Sequence, residues 1–554
     1  MTQQVDDVRA AGPVAQPRNG VPQGNGMAVR PSPTKPAPPR TPAPPTPTPP
    51  KQAPPQDSTS WLPALGVLIV GMFMSILDTS IVNVALPTIE TDLGISTTDG
   101  QWVATAYSLT EGIMVPISAW LGYRYGSKKI YMYSLIGFTI ASILCGLATG
   151  LVELVAFRIL QAIPGGVIPV TCIVMLRRIV PPERLGAAMG IYGLGVVVAP
   201  ALGPSLGGVL VEYVSWRWIF YVNVPIGVLG VVAAAAILKA DAGRRDRPLD
   251  ILGFAAIAGG LFSLLLALEE GQDWGWTSYR ILILFTAAVL LIALFAVIEL
   301  EVDRPLLDLR VFKSPRFVLS LTLMSMVSLG MFGSAFFVPQ FLQGSVRGLT
   351  PVNTGLALVP QALVLAVLLP MTGILYDRFG ARWLGVLGMA LAGTGLHMLS
   401  RINVDIPVDS LILGMVVLAA GVGFAMMPIM STGLAAVPPT QSESASSFST
   451  LTQRVSQSLG LGIIGASLTV TSAQSLADRS ELLGEYAATN PDVIALQQQG
   501  TTGMFGLYQQ MAGMAQTDSY SQAFAVIGWI CYAGAVLALF LPSGKPTRGA
   551  AVAH

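Results

Sequence analysis

The chain has 554 residues, of which 53% are hydrophobic and only 11% charged, with 31 Lys and Arg against 30 Asp and Glu. A soluble domain averages about 25% charged residues, so a water-covered globule of this length is excluded and a lipid-facing body is implied. No basic run or face marks a nucleic-acid contact. The three cysteines lie in apolar stretches that suit neither a disulfide framework nor a metal site, and only two histidines are present.

Residues 1–57 differ from the rest. The run from Pro31 through Arg40 to Pro55 is proline-rich and poor in aromatics. Such a segment cannot bury a core and is expected to be a solvated, disordered or polyproline II cytoplasmic tail. It has no apolar signal-peptide region before Ser60. From Trp61 onward the pattern becomes long apolar blocks split by short polar loops. A spanning helix needs roughly 20 apolar residues. The blocks predict spans at 62–84, 101–121, 130–149, 152–175, 187–211, 218–238, 249–269, 281–300, 317–341, 353–375, 383–400, 410–431, 449–471 and 521–542. The expected class is therefore all-α integral membrane, with about fourteen spans.

Loop charges orient these spans. With the N-terminus inside, alternate loops hold 18 Lys and Arg on the inner side and 5 on the outer. That asymmetry follows the positive-inside rule and places both ends in the cytoplasm. The outer segment 472–520 is expected to be a polar loop, with short amphipathic pieces near 476–486 and 502–514 lying on the membrane surface.

Several residues stand out in chain order. Asp78 lies near the outer end of the first span and Glu111 in the middle of the second. An ionisable group inside a span is costly and is by default a candidate functional site. Burial favours the protonated form, so either could carry a proton or counter a cationic substrate. The blander readings are a helix-cap carboxylate for Asp78 and a structural ion pair for Glu111. Arg158, about one turn into the fourth span, stays charged and can respond to a neighbouring carboxylate; a fixed ion pair is the alternative. In the fifth span Gly195, Gly203, Gly207 and Gly208 permit close helix approach, while Pro200 and Pro204 kink the helix. Trp216 and Trp218 read as an aromatic belt at the outer interface. Met331, Phe332, Phe336 and Phe337 could line an adaptable cavity or face lipid. Arg454, near the start of the thirteenth span, is expected to snorkel to the cytoplasmic face.

A short internal repeat joins the two ends of this body. Leu121-Gly122-Tyr123-Arg124-Tyr125-Gly126 and Leu375-Tyr376-Asp377-Arg378-Phe379-Gly380 share Leu, Arg and Gly at equal offsets. Repeated halves around a central site are a transporter signature. Arg124, Gly126, Asp377, Arg378 and Gly380 are candidate elements of a cytoplasmic gate, in which cations pair with helix C-termini or carboxylates. They could equally be topogenic charges only.

These loops resemble the cytoplasmic-loop motif of the major facilitator superfamily. Leu77-Asp78-Thr79-Ser80-Ile81-Val82-Asn83-Val84-Ala85-Leu86-Pro87 resembles the first-helix motif of its 14-helix drug:proton antiporters, the EmrB/QacA type. Phe157-Arg158 through Gly166 resembles the fourth-helix motif. Gly195 through Gly208 resembles the fifth-helix antiporter motif, with Ala199 replacing a glycine. The first loop departs from the family by carrying Tyr123 where an acidic residue is usual.

The resemblance covers roughly 61–545 and implies a major facilitator fold of two six-helix bundles plus two additional helices. The corresponding boundaries are 58–240, a two-helix insertion at 241–310, and 311–545. It implies a proton-coupled exporter of lipophilic or cationic small molecules, not an enzyme, that uses the proton gradient and no cofactor. The same fold could instead export one dedicated metabolite, antibiotic or lipid. Expected partners are the small-molecule substrate, protons and the lipid bilayer. Some relatives are thought to work with a periplasmic adaptor protein, for which the sequence shows no docking feature. No nucleotide-binding loop is present, so an ATP-driven pump is not implied.

Overall fold

The computed structural model describes residues 61–543 apart from 182–183, 242, 244–247, 303–304, 344–347, 404–405 and 487–500. The proline-rich tail, Arg244, Arg245, Arg247, Arg304, Arg347, Lys545 and Arg548 lie outside the described residues. The helical body falls within Asp57–His554.

The helices in chain order are α1 (Leu62–Leu93), α2 (Thr97–Tyr125), α3 (Ser127–Leu147), α4 (Leu151–Ile179), α5 (Leu185–Tyr213), α6 (Trp218–Tyr221) and α7 (Asn223–Ile237). They continue with α8 (Ile251–Glu269), α9 (Gly271–Trp274), α10 (Tyr279–Glu301), α11 (Pro315–Gln343) and α12 (Pro351–Phe379). The last four are α13 (Arg382–Leu399), α14 (Val408–Ala435), α15 (Ser442–Tyr486) and α16 (Thr501–Ala538). Among the described residues 10 helices are long and apolar enough to cross a membrane. Each predicted span overlaps a helix, with α6 and α7 together occupying the sixth.

Local chemistry sets the helix ends. Ser96 caps α2 by accepting from Asp99 N at 3.2 Å. Asp250 caps α8 by accepting from Gly253 N at 2.9 Å. The two repeated loops end their helices alike. Gly126 closes α2 at φ 92°, and Gly380 closes α12 at φ 78°. Each donates its N–H to the carbonyl four residues back. A side chain is strained at those angles, which is why glycine sits at equal offsets in both copies.

The segment 472–520 differs from expectation. α15 runs on to Tyr486 and α16 starts at Thr501, so much of the predicted surface loop continues the neighbouring helices. The stretch after Val470 is rich in Ala, Leu, Gln and Glu and has no proline before Pro491. Those are good helix formers, and nothing stops the helix where the apolar span ends.

Packing sorts the helices. α1 packs on α5, α4 and α7, and α3 on α4 and α7. α13 packs on α14 and α16, and α11 on α14, α15 and α16. α5 against α12 and α2 against α15 join the two sets, while α8 lies on both α2 and α15. α10 packs on α8 and turns Val289, Leu290 and Leu300 outward, each more than 60% exposed. Outward leucine and valine at that density suit lipid rather than water.

Candidate transport site

Asp78 and Arg158 form the most deeply buried ion pair among the described residues. Arg158 Nη1 lies 2.5 Å from Asp78 Oδ2, and the side chains are 1% and 0% exposed. α1 brings the carboxylate and α4 the guanidinium. Three neighbours complete the shell. Gln161 Nε2 and Asn223 Nδ2 both donate to Asp78 Oδ1, at 2.9 and 2.7 Å. The same two amides donate to Ser142 Oγ, which in turn donates to Phe220 O. Arg158 Nη1 also donates to Gln161 Oε1, and Arg158 Nε to Val103 O on α2. Its guanidinium carbon sits 3.9 Å from the centre of the Tyr107 ring.

This shell lets charges survive in lipid-depth protein. Breaking a buried pair by removing one partner costs about 3–5 kcal/mol, because the other charge is left uncompensated. Arg158 is supported differently from Asp78. It keeps a backbone carbonyl, an amide oxygen and an aromatic face even without the carboxylate.

Glu111 does not join this pair. It is 1% exposed and pairs with Arg454 of α15, whose side chain is 20% exposed. Arg454 therefore reaches inward across the seam rather than snorkelling to the cytoplasmic face. The reason is the buried carboxylate facing it, which offers a closer charge partner than the interface does.

The fifth-helix motif divides its contacts. A Cβ on Gly195 would meet Ile69, one on Gly203 would meet Ser80, and one on Gly207 would meet the Ile81 backbone. Ser80 Oγ also donates to Pro200 O at 3.0 Å. Those residues seat α5 on α1. Gly208 has open space around it. The helix continues through Pro200 and Pro204, and the Pro204 side chain lies outside the described ones. The first turns of α5 face the other set. A Cβ on Gly186 would stand 2.7 Å from Gly373 O, and one on Gly373 2.3 Å from Gly186 O. Only glycine allows the α5 and α12 backbones this approach.

The candidate gate residues split in two. Asp377 accepts from the backbone N–H groups of Gly186 and Ala187, at the N-terminus of α5. A carboxylate there satisfies orphan amides and meets the positive end of the helix dipole. In the first loop, Arg124 stacks on Trp120 and Tyr125. The carboxylate missing at Tyr123 is supplied from elsewhere. Asp241, after α7, accepts from Ser127 N at 2.7 Å and Lys128 N at 3.0 Å. Arg178 pairs with Asp241 at 3.0 Å and with Glu443 of α15 at 2.5 Å. Tyr123 lines a cavity of about 130 Å³ together with Trp120, Arg310 and Glu443.

Other sequence expectations resolve individually. Trp216 is buried, donating Nε1 to Asp92 at 2.8 Å, whereas Trp218 is 50% exposed. Only Trp218 is placed like a belt residue. Met331 and Phe337 are buried, Phe332 is half-buried, and the Phe336 side chain lies outside the described ones. A methionine-rich gap of about 20 Å³ instead lies among Met72, Met426, Met427 and Met430, with Ile173, Tyr192 and Gln453 beside it. Reading the sequence missed it, although the Met426-Met427-Pro428-Ile429-Met430 run was a visible signal.

Long apolar helices, a repeated turn and charges buried along the helices define a multi-spanning membrane transporter. The Major Facilitator Superfamily profile matches residues 68–461, and the chain belongs to that superfamily. It is 31% identical to the multidrug export protein EmrB of Escherichia coli strain K12, over 83% of this chain and 86% of that protein. It is 29% identical to the tetracenomycin C resistance and export protein of Streptomyces glaucescens, over 88% and 93%. Its fold is similar to that of the proton:xylose symporter XylE, with a TM-score of 0.57 at 12% identity, covering 89% of this chain and 98% of that one.

Proposed function

We propose that this chain is a proton-coupled exporter of lipophilic or cationic small molecules, working by alternating access and catalysing no chemical reaction. The observation that carries the reading is the Asp78–Arg158 pair, buried at 0% and 1% exposure inside an amide-lined shell. A proton arriving on Asp78 neutralises the carboxylate and releases the ion pair. Arg158 is then held by Val103 O, Gln161 Oε1 and the Tyr107 ring, and its uncompensated charge repels a cationic cargo. The names of the relatives, multidrug export and tetracenomycin C export, support outward transport of such molecules.

In this reading residues 58–240 and 311–545 rock about the seam formed by α5 with α12 and by α2 with α15, carrying the inserted pair 241–310 between them. The chain sits in the plasma membrane with both termini in the cytoplasm. The proton gradient is its energy source, and no cofactor takes part. Where a second membrane exists, a periplasmic adaptor is a further partner.

The test uses inverted membrane vesicles, an imposed pH gradient and ethidium as the cationic probe. Uptake should follow the gradient, stop with a protonophore, and be lost in Asp78→Asn. Uptake that survives the protonophore and requires ATP overturns the proposal.

A further inference from the structure

A second group of charged side chains, buried at Glu111 and partly exposed at Glu269 and Arg454, stands where α2, α8 and α15 meet. α2 supplies Ser108 and Glu111, α8 supplies Glu269 at its last turn, and α15 supplies Arg454. Ser108 Oγ donates to Glu269 Oε1 at 2.7 Å. Arg454 pairs with Glu111, and its charge acts on Glu269 as well. Glu111 thus holds the guanidinium directly, while Glu269 is held by Ser108, one turn before Glu111 on α2.

The other charges nearby do not close that account. Glu111 also feels Arg158 from α4 and Asp78 from α1, which neutralise each other. Glu269 feels Glu270, the next residue in the chain, which in turn feels Asp273. With Arg454 the one cation paired in this group, Glu111, Glu269 and the neighbouring Glu270 leave negative charge in excess. Glu111 Oε2 is itself buried and has no hydrogen-bond partner. An unpartnered carboxylate oxygen at that depth is costly unless it carries a proton.

The inserted segment is also packed into the body here. A Cβ on Gly112 of α2 would meet Leu265 at 2.5 Å, and one on Gly462 of α15 would meet Trp276 at 3.2 Å. At this level α8 packs directly on both α2 and α15.

We propose that Glu111 and Glu269 together hold one exchangeable proton, separate from any on Asp78, so that the inserted helices take part in transport. This deepens the exporter reading and rests on it. When the proton sits on Glu111, Arg454 loses its partner and the link between α2 and α15 loosens. When it moves to Glu269, held by Ser108, the link re-forms. The exchange changes no covalent bond other than the O–H itself.

The test is infrared difference spectroscopy of the full-length protein in phosphatidylethanolamine–phosphatidylglycerol liposomes, between acid and alkaline pH. The C=O band of protonated buried carboxyl groups should persist in Asp78→Asn. It should lose area in Glu111→Gln and in Glu269→Gln. Ser108→Ala keeps every charge and should shift the band and its titration midpoint, which serves if a glutamine variant fails to fold. A band unchanged in both glutamine variants and in Ser108→Ala, or one abolished by Asp78→Asn alone, overturns the proposal. The spectrum needs no substrate. Absent gradient-driven ethidium uptake with this band intact therefore sinks the exporter reading and leaves the proton site standing.

Discussion

Asp377, at the end of α12, accepts hydrogen bonds from the N–H groups of Gly186 and Ala187 at the start of α5. One carboxylate thereby holds the first turn of a helix belonging to the other packing set. Losing such a cap costs about 0.5–2 kcal/mol, so Asp377→Ala should shift the balance between closed and parted seams about 2–30-fold toward parted. Spin labels on the exposed Tyr125 and Phe379 positions would report it as a longer distance population.

The glycine contact above that cap should be less forgiving. A Cβ on Gly373 would lie 2.3 Å from Gly186 O, which is backbone and cannot rotate away. Gly373→Val should cost about 1–3 kcal/mol in the closed form. The same label pair should show the parted population dominating, and ethidium uptake should fall. An unchanged distance distribution would contradict the assignment of this seam as a moving part.

Asp78→Asn should lower thermal stability as well as transport. It preserves shape but leaves Arg158 buried without its counter-charge, at a cost of about 3–5 kcal/mol less whatever Val103, Gln161 and Tyr107 supply. The double variant Asp78→Asn with Arg158→Gln should recover most of the lost melting temperature in detergent and none of the gradient-driven uptake. Recovery of both would make the pair purely structural.

The Glu111–Arg454 pair should respond asymmetrically. Arg454→Gln strands a carboxylate that is 1% exposed, whereas Glu111→Gln strands a guanidinium that is 20% exposed and can hydrate. Arg454→Gln should therefore lower the melting temperature more at alkaline pH. Equal losses would argue that Arg454 has no route to water.

Glu443→Gln should do little by comparison. Arg178 is 47% exposed and retains Asp241 when Glu443 is neutral. Exposed pairs contribute about 0–1 kcal/mol, so the effect should stay under about fivefold and fade in high salt.

What the sequence disclosed depended on how locally each signal was written. Asp78, Glu111 and Arg158 stood out because a charge in an apolar block is conspicuous without any knowledge of its partner. The partners were less legible. Arg454 has a long side chain near the start of the span read from the sequence, and nothing in its neighbours says whether it reaches to water or to a carboxylate 343 residues away. Asp241 replaces the acid absent at Tyr123 from beyond five intervening helices, so no motif spacing could announce it. Gln161, Ser142 and Asn223 are ordinary polar residues until folding gathers them around one carboxylate. Glu269 sits at a span's end, where an acid reads as the start of a loop. The Gly126 and Gly380 turns were readable because their constraint lies in the backbone of the residue itself.

The divided packing of α5 bears on inhibition. Its later turns are locked to α1 by Gly203 against Ser80, while its first turns rest on α12 through Gly186 and Gly373. A small ligand wedged at Gly203 would have to pull apart a seat within one packing set, and would act as a denaturant. The same ligand wedged between Gly186 and Gly373 would find a seam already made to part. It would arrest the protein in one posture, folded and empty-handed, which makes the short stretch around residue 186 the better target for a drug meant to disarm the pump.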